Sequence, residues 1–362
     1  MRILQICADK GVPPGGTKGA SAHLRHVASS LSSRGHVVRT VARRPAEAHN
    51  PHPVPVDALT GHESILDSIA TLGGVDLIYE RYSLGHLGGL AVASRLGVPF
   101  VLEVNAPLVL EAAAHRAAVI GSQEVDAERR LFSEADVVMA VSTVLADHVA
   151  SVRGDRRGVL VTPNGADPQG FPTAAHHRGQ PQLVFLGHPK PWHGGDRLPL
   201  IAASLRRRFP AIEVLVVGGG PGIDPIMARA AALEVADLFR VTGPVDQAAI
   251  AGHLAGASIG LAPYPSSDFF YFSPLKVVEY MMAGLPVVTT DVGDVAATVG
   301  SGGIVVPPDD VDELTEACAY LLARPALREH MGLSSRNRAF ADHTWDGVAA
   351  AVEASVGLVG AA

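Results

Sequence analysis

Apolar runs of strand length alternate with amphipathic stretches of helix length along most of the chain. In the first half, runs such as Val37–Ala42 and Phe100–Val104 predict buried strands, and stretches such as residues 21–33 predict helices. This alternation is typical of parallel sheets covered by helices on both faces. The proline- and histidine-rich stretch from residue 44 to 59 lacks the pattern and is predicted to be a surface loop.

The alternation stops at the turn-rich segment "VTPNGADPQGFP" and starts again at Leu183. A chain of 362 residues is also too long for one typical core. We therefore predict an α/β protein with two doubly wound, Rossmann-like domains, residues 1–170 and 171–343. Ligands of such sheets bind at the carboxyl ends of the strands, so facing domains place a ligand in the cleft between them.

The bulk composition narrows the class of protein. The formal charge of -7 argues against nucleic acid as a partner, because phosphate backbones are bound by clustered basic residues. No apolar run reaches the roughly 18 residues that a membrane span needs, so we expect no transmembrane segment and a cytoplasmic protein. Cys7 and Cys318 have no metal-ligand spacing and are expected to be buried free thiols.

Two glycine-rich stretches suggest phosphate binding, but each departs from the familiar motif. In "GVPPGGTKGAS", residues 11–21, the lysine is one position late for a P-loop, and two prolines remove backbone donors. In "VLVVGGGPG", residues 214–222, the third glycine of a dinucleotide motif would fall on Ile223. A turn before a helix capped by Asp224 accounts for the second stretch, and NAD binding is disfavoured.

The segment "YFSPLKVVEYMMAGLPVVTTD", residues 271–291, carries the strongest candidate chemistry. Ser273 and Pro274 predict a helix N-cap and first-turn pair, and Lys276 and Glu279 fall on one face of that helix. A carboxylate there can accept hydrogen bonds from the two vicinal hydroxyls of a ribose. The alternative is that Lys276 and Glu279 pair on a solvated face, and spacing alone favours that alternative.

This segment resembles the donor-site helix of the retaining family 4 glycosyltransferases, which have the GT-B fold. Glu279 matches the second glutamate of the family motif, whereas Tyr271, eight positions earlier, stands in place of the first and does not match it. Further matches are "VTPNGAD", "ADVVMAVS" and "KGASAHLRHVASSLSSRGHVV", so the resemblance covers almost the whole chain. It implies an N-terminal acceptor domain, a C-terminal nucleotide-sugar domain, and a final helix, residues 344–362, that packs back on the first domain.

The resemblance also implies a donor site and a group of reacting residues. His188 and His193 stand where relatives carry the arginine and lysine that clamp the diphosphate, so we expect His193 and Lys190 to share the clamp and donor affinity to fall from pH 6 to 9 as a histidine loses its proton. The implied donor-binding residues are Gly16, Lys18, Gly19, His188, Ser273, Pro274, Leu275, Lys276 and Glu279. The implied catalytic residues are Glu103, Asn105, Lys190 and His193.

Glu80 and Arg81 end another strand and are expected on the acceptor side, with an ion pair at the strand end as an equal alternative. The candidate helix over residues 111–132 carries both signs of charge, which favours a soluble small-molecule or saccharide acceptor.

The expected function is transfer of a sugar, with retention, from a nucleotide-diphosphate sugar, a UDP-sugar by preference, to a hydroxyl acceptor without a metal. The rival functions are an NAD-dependent oxidoreductase and a non-catalytic sugar-binding protein.

Overall fold

A computed structural model of the chain describes residues 1–16, 18–44, 51–115, 121–171 and 180–359. The chain forms two compact units. The first contains Met1–Asn164, Tyr271–Ser273 and Trp345–Ala362, and the second contains Gly165–Phe270 and Pro274–Thr344. The three residues Tyr271–Ser273 thus belong to the first unit, although the chain on both sides of them belongs to the second.

The first unit contains a parallel sheet covered by helices. Its strands are β1 (Arg2–Cys7), β2 (Val37–Ala42), β3 (Val56–Ala58), β4 (Leu77–Arg81), β5 (Phe100–Val104), β6 (Val137–Ala140) and β7 (Val159–Val161). Its helices up to this point are α1 (Gly19–Ser33), α2 (His62–Leu72), α3 (Gly88–Leu96), α4 (Leu108–His115), α5 (Ser122–Glu134) and α6 (Thr143–Arg153). The strand order is β3-β2-β1-β4-β5-β6-β7, so the order reverses between β1 and β4.

The second unit repeats this plan. Its strands are β8 (Gln182–Leu186), β9 (Glu213–Val217), β10 (Phe239–Val241), β11 (Ile259–Ala262), β12 (Val287–Thr290) and β13 (Gly303–Val306). Its helices are α7 (Leu198–Arg206), α8 (Ile223–Ala232), α9 (Gln247–Ala255), α10 (Leu275–Met282), α11 (Val295–Val299), α12 (Val311–Leu322) and α13 (Pro325–Asp342). The strand order is β10-β9-β8-β11-β12-β13, and it reverses between β8 and β11.

A last helix, α14 (Trp345–Val359), belongs to the first unit and packs against α1. The ring of Trp345 stacks on His26, with a centroid distance of 5.3 Å. The guanidinium of Arg34 forms ion pairs with Asp346 and Glu353. Aromatic and charged contacts therefore hold the C-terminal helix to the first helix of the chain.

Burial explains why the apolar runs form these sheets. All five residues of β5 and of β8 are buried, as expected for parallel strands with helices on both faces. Both cysteines are buried and free, as predicted. No helix in the described part of the chain combines the length and the apolar character that a membrane crossing requires.

Two sequence predictions are wrong in part. Strand β3 lies inside the predicted loop at residues 44–59, because Val54 and Leu59 are buried and β3 pairs with β2, while residues 45–50 lie outside the described residues. The candidate helix over residues 111–132 is also not continuous. It corresponds to parts of α4 and α5, and residues 116–120 between them lie outside the described residues.

Candidate active site

Each sheet has one point at which the strand order reverses, between β1 and β4 in the first unit and between β8 and β11 in the second. In such a sheet, the loops at the carboxyl ends of the two strands that flank the reversal run to opposite faces of the sheet. They leave a crevice between them in which ligands bind. Most of the candidate residues lie in loops and helix ends next to these crevices.

Helix α10 of the second unit carries Lys276 and Glu279, and both side chains are buried, with 8% and 9% of their surface exposed. The helix is apolar on almost every side, and the hydroxyl of Tyr280 accepts a hydrogen bond of 2.7 Å from the backbone N–H of Leu186 at the end of β8. The packing of α10 against β8 and β11 therefore places the lysine at the strand ends. The burial excludes the alternative in which Lys276 and Glu279 pair on a solvated face.

Lys276 is a buried cation in aromatic surroundings. Its Nζ lies 4.2 Å from the ring centroid of Phe185 and 5.7 Å from that of Tyr264. It has no hydrogen-bond partner among the described residues. Burial lowers the pKa of Lys276 to about 7, although the neighbouring Glu279 partly opposes the shift. A buried amine with unused donors is suited to binding an anion, which would restore its charge.

The start of α10 differs from the prediction. Pro274 is the N-cap residue and Leu275 is the first helical residue, so Ser273 does not cap the helix. The Ser273 hydroxyl instead accepts a hydrogen bond of 2.9 Å from the backbone N–H of Asn164, and the Asn164 amide donates to the Ser273 carbonyl at 2.7 Å. The Ser273 hydroxyl is therefore bonded to Asn164, which like Ser273 lies in the first unit, and the predicted N-cap is wrong.

The glycine-rich turn after β9 has a packing role. Gly218 has a φ of +138°, and a Cβ there would lie 2.4 Å from the carbonyl oxygen of Gly187. A Cβ on Gly222 would lie 2.2 Å from the carbonyl oxygen of Pro189. Gly222 is the N-cap of α8, so the prediction that Asp224 caps this helix is wrong. These glycines allow the loops after β8 and β9 to approach each other. This packing accounts for the glycine-rich turn without a bound dinucleotide.

His188, Lys190 and His193 lie in the loop after β8. The ring of His188 bonds through Nδ1 to the carbonyl of Gly219, and Nδ1 of His193 lies 2.9 Å from the carbonyl of His188. Burial and the positive charge of Lys276 lower the pKa of His193 to about 4. His193 is therefore neutral at pH 7 in the ligand-free protein. The ligand-free protein thus has no proton on this ring to lose between pH 6 and 9, which was the reason for the predicted fall in donor affinity. Lys190 is exposed.

In the first unit, hydrogen bonds to its own backbone carbonyl groups fix the glycine-rich loop after β1. Arg25 donates hydrogen bonds of 2.7 Å to the carbonyls of Pro14 and Gly16, and the N–H of Gly16 donates to Pro13 at 3.0 Å. A Cβ on Gly16 would lie 2.7 Å from the hydroxyl of Ser21. Gly16 is thus needed for close packing, and its N–H is already used inside the loop.

The same loop ends at the N-terminus of α1. Lys18 is the N-cap residue and is exposed, Gly19 is the first helical residue, and no side chain caps the helix. An uncapped helix N-terminus favours anions, because its first N–H groups have no partner within the helix. Thr17, between the glycine pair and Lys18, lies outside the described residues.

Glu103, at the carboxyl end of β5, is part of a buried polar network. Nε2 of His23 lies 2.5 Å from Glu103, and Nδ1 of His23 lies 2.9 Å from the side-chain oxygen of Asn164. Burial alone would raise the pKa of Glu103, but the charge and hydrogen bond of His23, with Arg81 at 3.7 Å, outweigh it and lower the pKa to about 2. His23 was not among the predicted residues, although the matched "KGASAHLRH" segment contains it.

The remaining predicted residues of this unit differ in accessibility. Asn105 is half-buried just after β5, and its amide nitrogen has no hydrogen-bond partner among the described residues. Arg81 forms an ion pair with Glu103 at 3.7 Å and not with Glu80, so the strand-end ion pair has a different partner from the one that the alternative proposed. Glu80 is completely buried beneath α3, where Nδ1 of His86 lies 2.8 Å from its carboxylate. Because its side chain points into the core, Glu80 cannot contact an acceptor directly, and that expectation is wrong.

Comparison with known proteins supplies the family. The family model described as "Glycosyltransferase Family 4" matches residues 17–169, and the model described as "Glycosyl transferases group 1" matches residues 180–324. Glycogen synthase of Mycobacterium tuberculosis is 25% identical and aligns with 97% of this chain and 93% of its own length. D-inositol 3-phosphate glycosyltransferase of Frankia alni is 28% identical, over 77% of this chain and 73% of its own.

The fold is shared with solved glycosyltransferase structures. HepE from Anabaena, solved in complex with UDP and glucose, superposes with a TM-score of 0.75 at 17% identity and covers 99% of both chains. The two family models together span most of the chain, and they decide against an oxidoreductase and against a non-catalytic sugar-binding protein. The chain belongs to the family 4 glycosyltransferases and has the GT-B fold.

Proposed function

We propose that the protein is a retaining glycosyltransferase that moves a sugar from a nucleotide-diphosphate sugar, preferably a UDP-sugar, to a hydroxyl group of a soluble small-molecule or saccharide acceptor. The observation that carries this proposal is the buried Lys276 next to Glu279 at the strand ends of the second unit. UDP is favoured because HepE, which has the same fold, was solved with UDP and glucose.

In this proposal the second unit binds the donor. Lys276 donates hydrogen bonds to the diphosphate, where a buried amine acts more strongly than one in water. Glu279, three residues later on the same helix, accepts hydrogen bonds from the ribose hydroxyls. The exposed Lys190 adds N–H donors from the loop after β8, whereas the neutral ring of His193 uses its one N–H on the carbonyl of His188. The donor site is thus assembled from one helix and one strand-end loop.

In this proposal the first unit binds the acceptor substrate. Lys18 and Gly19 offer the uncapped N-terminus of α1 to a phosphate group. Glu103 remains ionised and is held by His23 and Arg81, and Asn105, two residues later, offers an amide nitrogen without a hydrogen-bond partner to an acceptor hydroxyl near the end of β5. We assign Glu103 and Asn105 to positioning the acceptor, because neither lies in the donor-binding unit.

The chemistry needs stabilisation of the departing diphosphate more than it needs a nucleophile from the protein. The bond between the anomeric carbon and the phosphate oxygen breaks, the acceptor oxygen bonds on the same face, and the acceptor proton passes to the leaving phosphate. Donors fixed around that phosphate lower the barrier, since they interact most strongly as negative charge develops there. A pair of carboxylates at glycosidase spacing is unnecessary for this course.

A ligand screen with matched variants tests the proposal. UDP-, GDP- and ADP-glucose, with NAD and glucose as comparison ligands, are measured for thermal stabilisation of the wild type. Glu279→Gln should lose most of the stabilisation by the preferred nucleotide sugar and keep its own unfolding temperature. Glu313→Gln, an exposed position on α12, is the control and should bind like the wild type. Stabilisation by no nucleotide sugar, or equal effects of both substitutions, would contradict the proposed donor site.

Mass spectrometry then identifies the reaction. The stabilising donor is incubated with a library of saccharides and polyols, and products that gain one hexose mass are sought. The configuration at the new anomeric centre, read from proton coupling constants of the product, tests retention: an α-linked donor must give an α-linked product. A β-linked product would refute the retaining assignment while leaving the glycosyltransferase activity intact.

A further inference from the structure

A second pocket lies within the first unit, at the carboxyl ends of β2, β3 and β4. Its volume is about 280 Å³, the size of a small ligand. Three loops form it: the residues after β2, the turn from β3 into α2, and the turn from β4 into α3. Its lining consists of Arg43, Leu59, Thr60, Gly61, His62, His86, Leu87, Gly88 and Ala91.

The charged and titratable groups in this lining are all basic. Arg43, His62 and His86 come from the three different loops, and no carboxylate lines the pocket among the described residues. Arg43 and His62 are exposed and make no ion pair within the described part of the chain. In a protein with a formal charge of -7, these three convergent basic side chains form a local site for an anion, although His86 also contacts the buried carboxylate of Glu80 beneath the pocket.

Two helices add to the positive field. Helix α2 begins at His62, and α3 begins at Gly88, so both helices start in the pocket lining. The side chains of the N-cap residues Gly61 and Leu87 do not cap these helices, although the hydroxyl of Ser64 accepts hydrogen bonds from the N–H groups of Thr60 and Gly61. The partial positive charges of the two helix N-termini therefore lie beside the arginine and the two histidines.

His86 is held in place from below. Its Nδ1 lies 2.8 Å from the completely buried carboxylate of Glu80, so this ring nitrogen is occupied. Nε2 lies over the first turn of α3, where a Cβ on Gly88 would approach it to 2.6 Å. Glu80 therefore orients the ring, and Gly88 leaves the room that the ring needs. Nε2 is the ring nitrogen that Glu80 does not occupy, and an anion in the pocket favours the form of the ring that carries a hydrogen there.

We propose that this pocket binds a phosphate group carried by the acceptor substrate, an inference that rests on the proposed function of the enzyme. A phosphate presents several oxygens, which match the guanidinium of Arg43, the two imidazoles and the two helix N-termini. Glu80 is then a positioning residue for His86 and does not contact the acceptor. The soluble acceptor of the proposed reaction becomes a phosphorylated polyol or sugar.

The test uses inorganic phosphate as the probe and the full-length protein. Thermal shift and titration calorimetry measure phosphate binding to the wild type, to Arg43→Gln and to Arg95→Gln, which removes an exposed arginine from the other end of α3. Arg43→Gln should weaken phosphate binding about ten-fold, as expected for one charge-assisted hydrogen bond, and Arg95→Gln should not. Gly88→Ala should weaken it as well, because the added methyl displaces His86.

Further arms identify the source of the phosphate. Glucose 6-phosphate should compete with inorganic phosphate, whereas glucose should not. If the phosphate belongs to a lipid headgroup, vesicles of phosphatidylcholine with phosphatidylinositol should compete with inorganic phosphate in place of glucose 6-phosphate. Competition by these vesicles supports the phosphate site only where Arg43→Gln abolishes it. Malonate that binds as tightly as phosphate would overturn the assignment to phosphate.

The same samples separate this inference from the proposed function. Stabilisation by UDP-glucose without any phosphate binding would refute the acceptor pocket and leave the donor site standing. Phosphate binding without stabilisation by any nucleotide sugar would refute the proposed donor site instead. Equal loss in Arg43→Gln and Arg95→Gln would show that phosphate responds only to net charge, and the pocket would be rejected.

Discussion

Raising the pH from 6 to 9 is expected to weaken binding of the nucleotide-sugar donor through the deprotonation of Lys276. Burial lowers the pKa of this lysine to about 7, so the free enzyme loses the ammonium charge across the range. The diphosphate of the donor favours the charged form, and its binding must return the proton. Of the charged groups around it, Glu279 supports the ammonium, whereas His193 is neutral above about pH 4.

The size of the effect follows from the linkage between protonation and binding. Below pH 7 the lysine is already protonated, and affinity is at its maximum. At pH 9, two units above the free pKa, about one molecule in a hundred carries the charge, so affinity falls about a hundred-fold, or about 2.7 kcal/mol. The sign is fixed by the direction of the shift: affinity is full below the free pKa and is lost as the pH rises above it.

Titration calorimetry with UDP-glucose at pH 6, 7, 8 and 9, in buffers of different ionisation enthalpy, measures both the affinity and the proton uptake. Uptake should rise from near zero at pH 6 to about one proton per donor at pH 8.5. Lys276→Met should bind the donor weakly at every pH and show no pH dependence. His193→Gln should keep the pH dependence of the wild type. A flat profile in the wild type, or an unchanged slope in Lys276→Met, would refute the assignment to this lysine.

Two further predictions concern the packing around the candidate sites. Glu103→Gln should lower the free energy of unfolding by about 3 kcal/mol at pH 7, and the difference should disappear as urea unfolding is repeated from pH 4.5 down to about 2, where the wild-type carboxylate takes up its proton. Gly260→Ala should cost about 1–3 kcal/mol in the same assay, because its Cβ would lie 2.4 Å from the ring of Tyr280. Gly252→Ala, with open space around its Cβ and a helical position, is the matched control and should not destabilise the protein.

The alternation of apolar runs was sufficient to predict the two parallel sheets, because fully buried strands leave long apolar signatures. The bounds of β2 and β5 agree with those predicted from the sequence. Strand β3 was missed because it has only three residues and lies at the edge of the sheet, where one partner strand and little burial leave almost no pattern.

The candidate site could be predicted only where the motif itself carried the information. Lys276 and Glu279 were found from the segment that contains them, but their spacing alone favoured a solvated pair, and only the packing of α10 shows that both are buried. His23 and its contact with Glu103 join residues that are 80 positions apart. Such a pair leaves no local signal, so the buried network of the first unit required the structure.

The four lysines of the chain differ in burial, and this difference indicates which of them would bind the phosphate groups of a donor. Lys10, Lys18 and Lys190 are exposed, and Lys276 alone among them is buried. Burying an amine without a hydrogen-bond partner destabilises the folded state, most of all below pH 7, where the amine must carry its charge. Lys276→Met should therefore unfold at the same or a higher temperature than the wild type at pH 6, while losing donor binding. If donor binding is lost while stability at pH 6 is kept or gained, Lys276 serves the ligand and not the fold, as the proposed binding of the donor diphosphate requires.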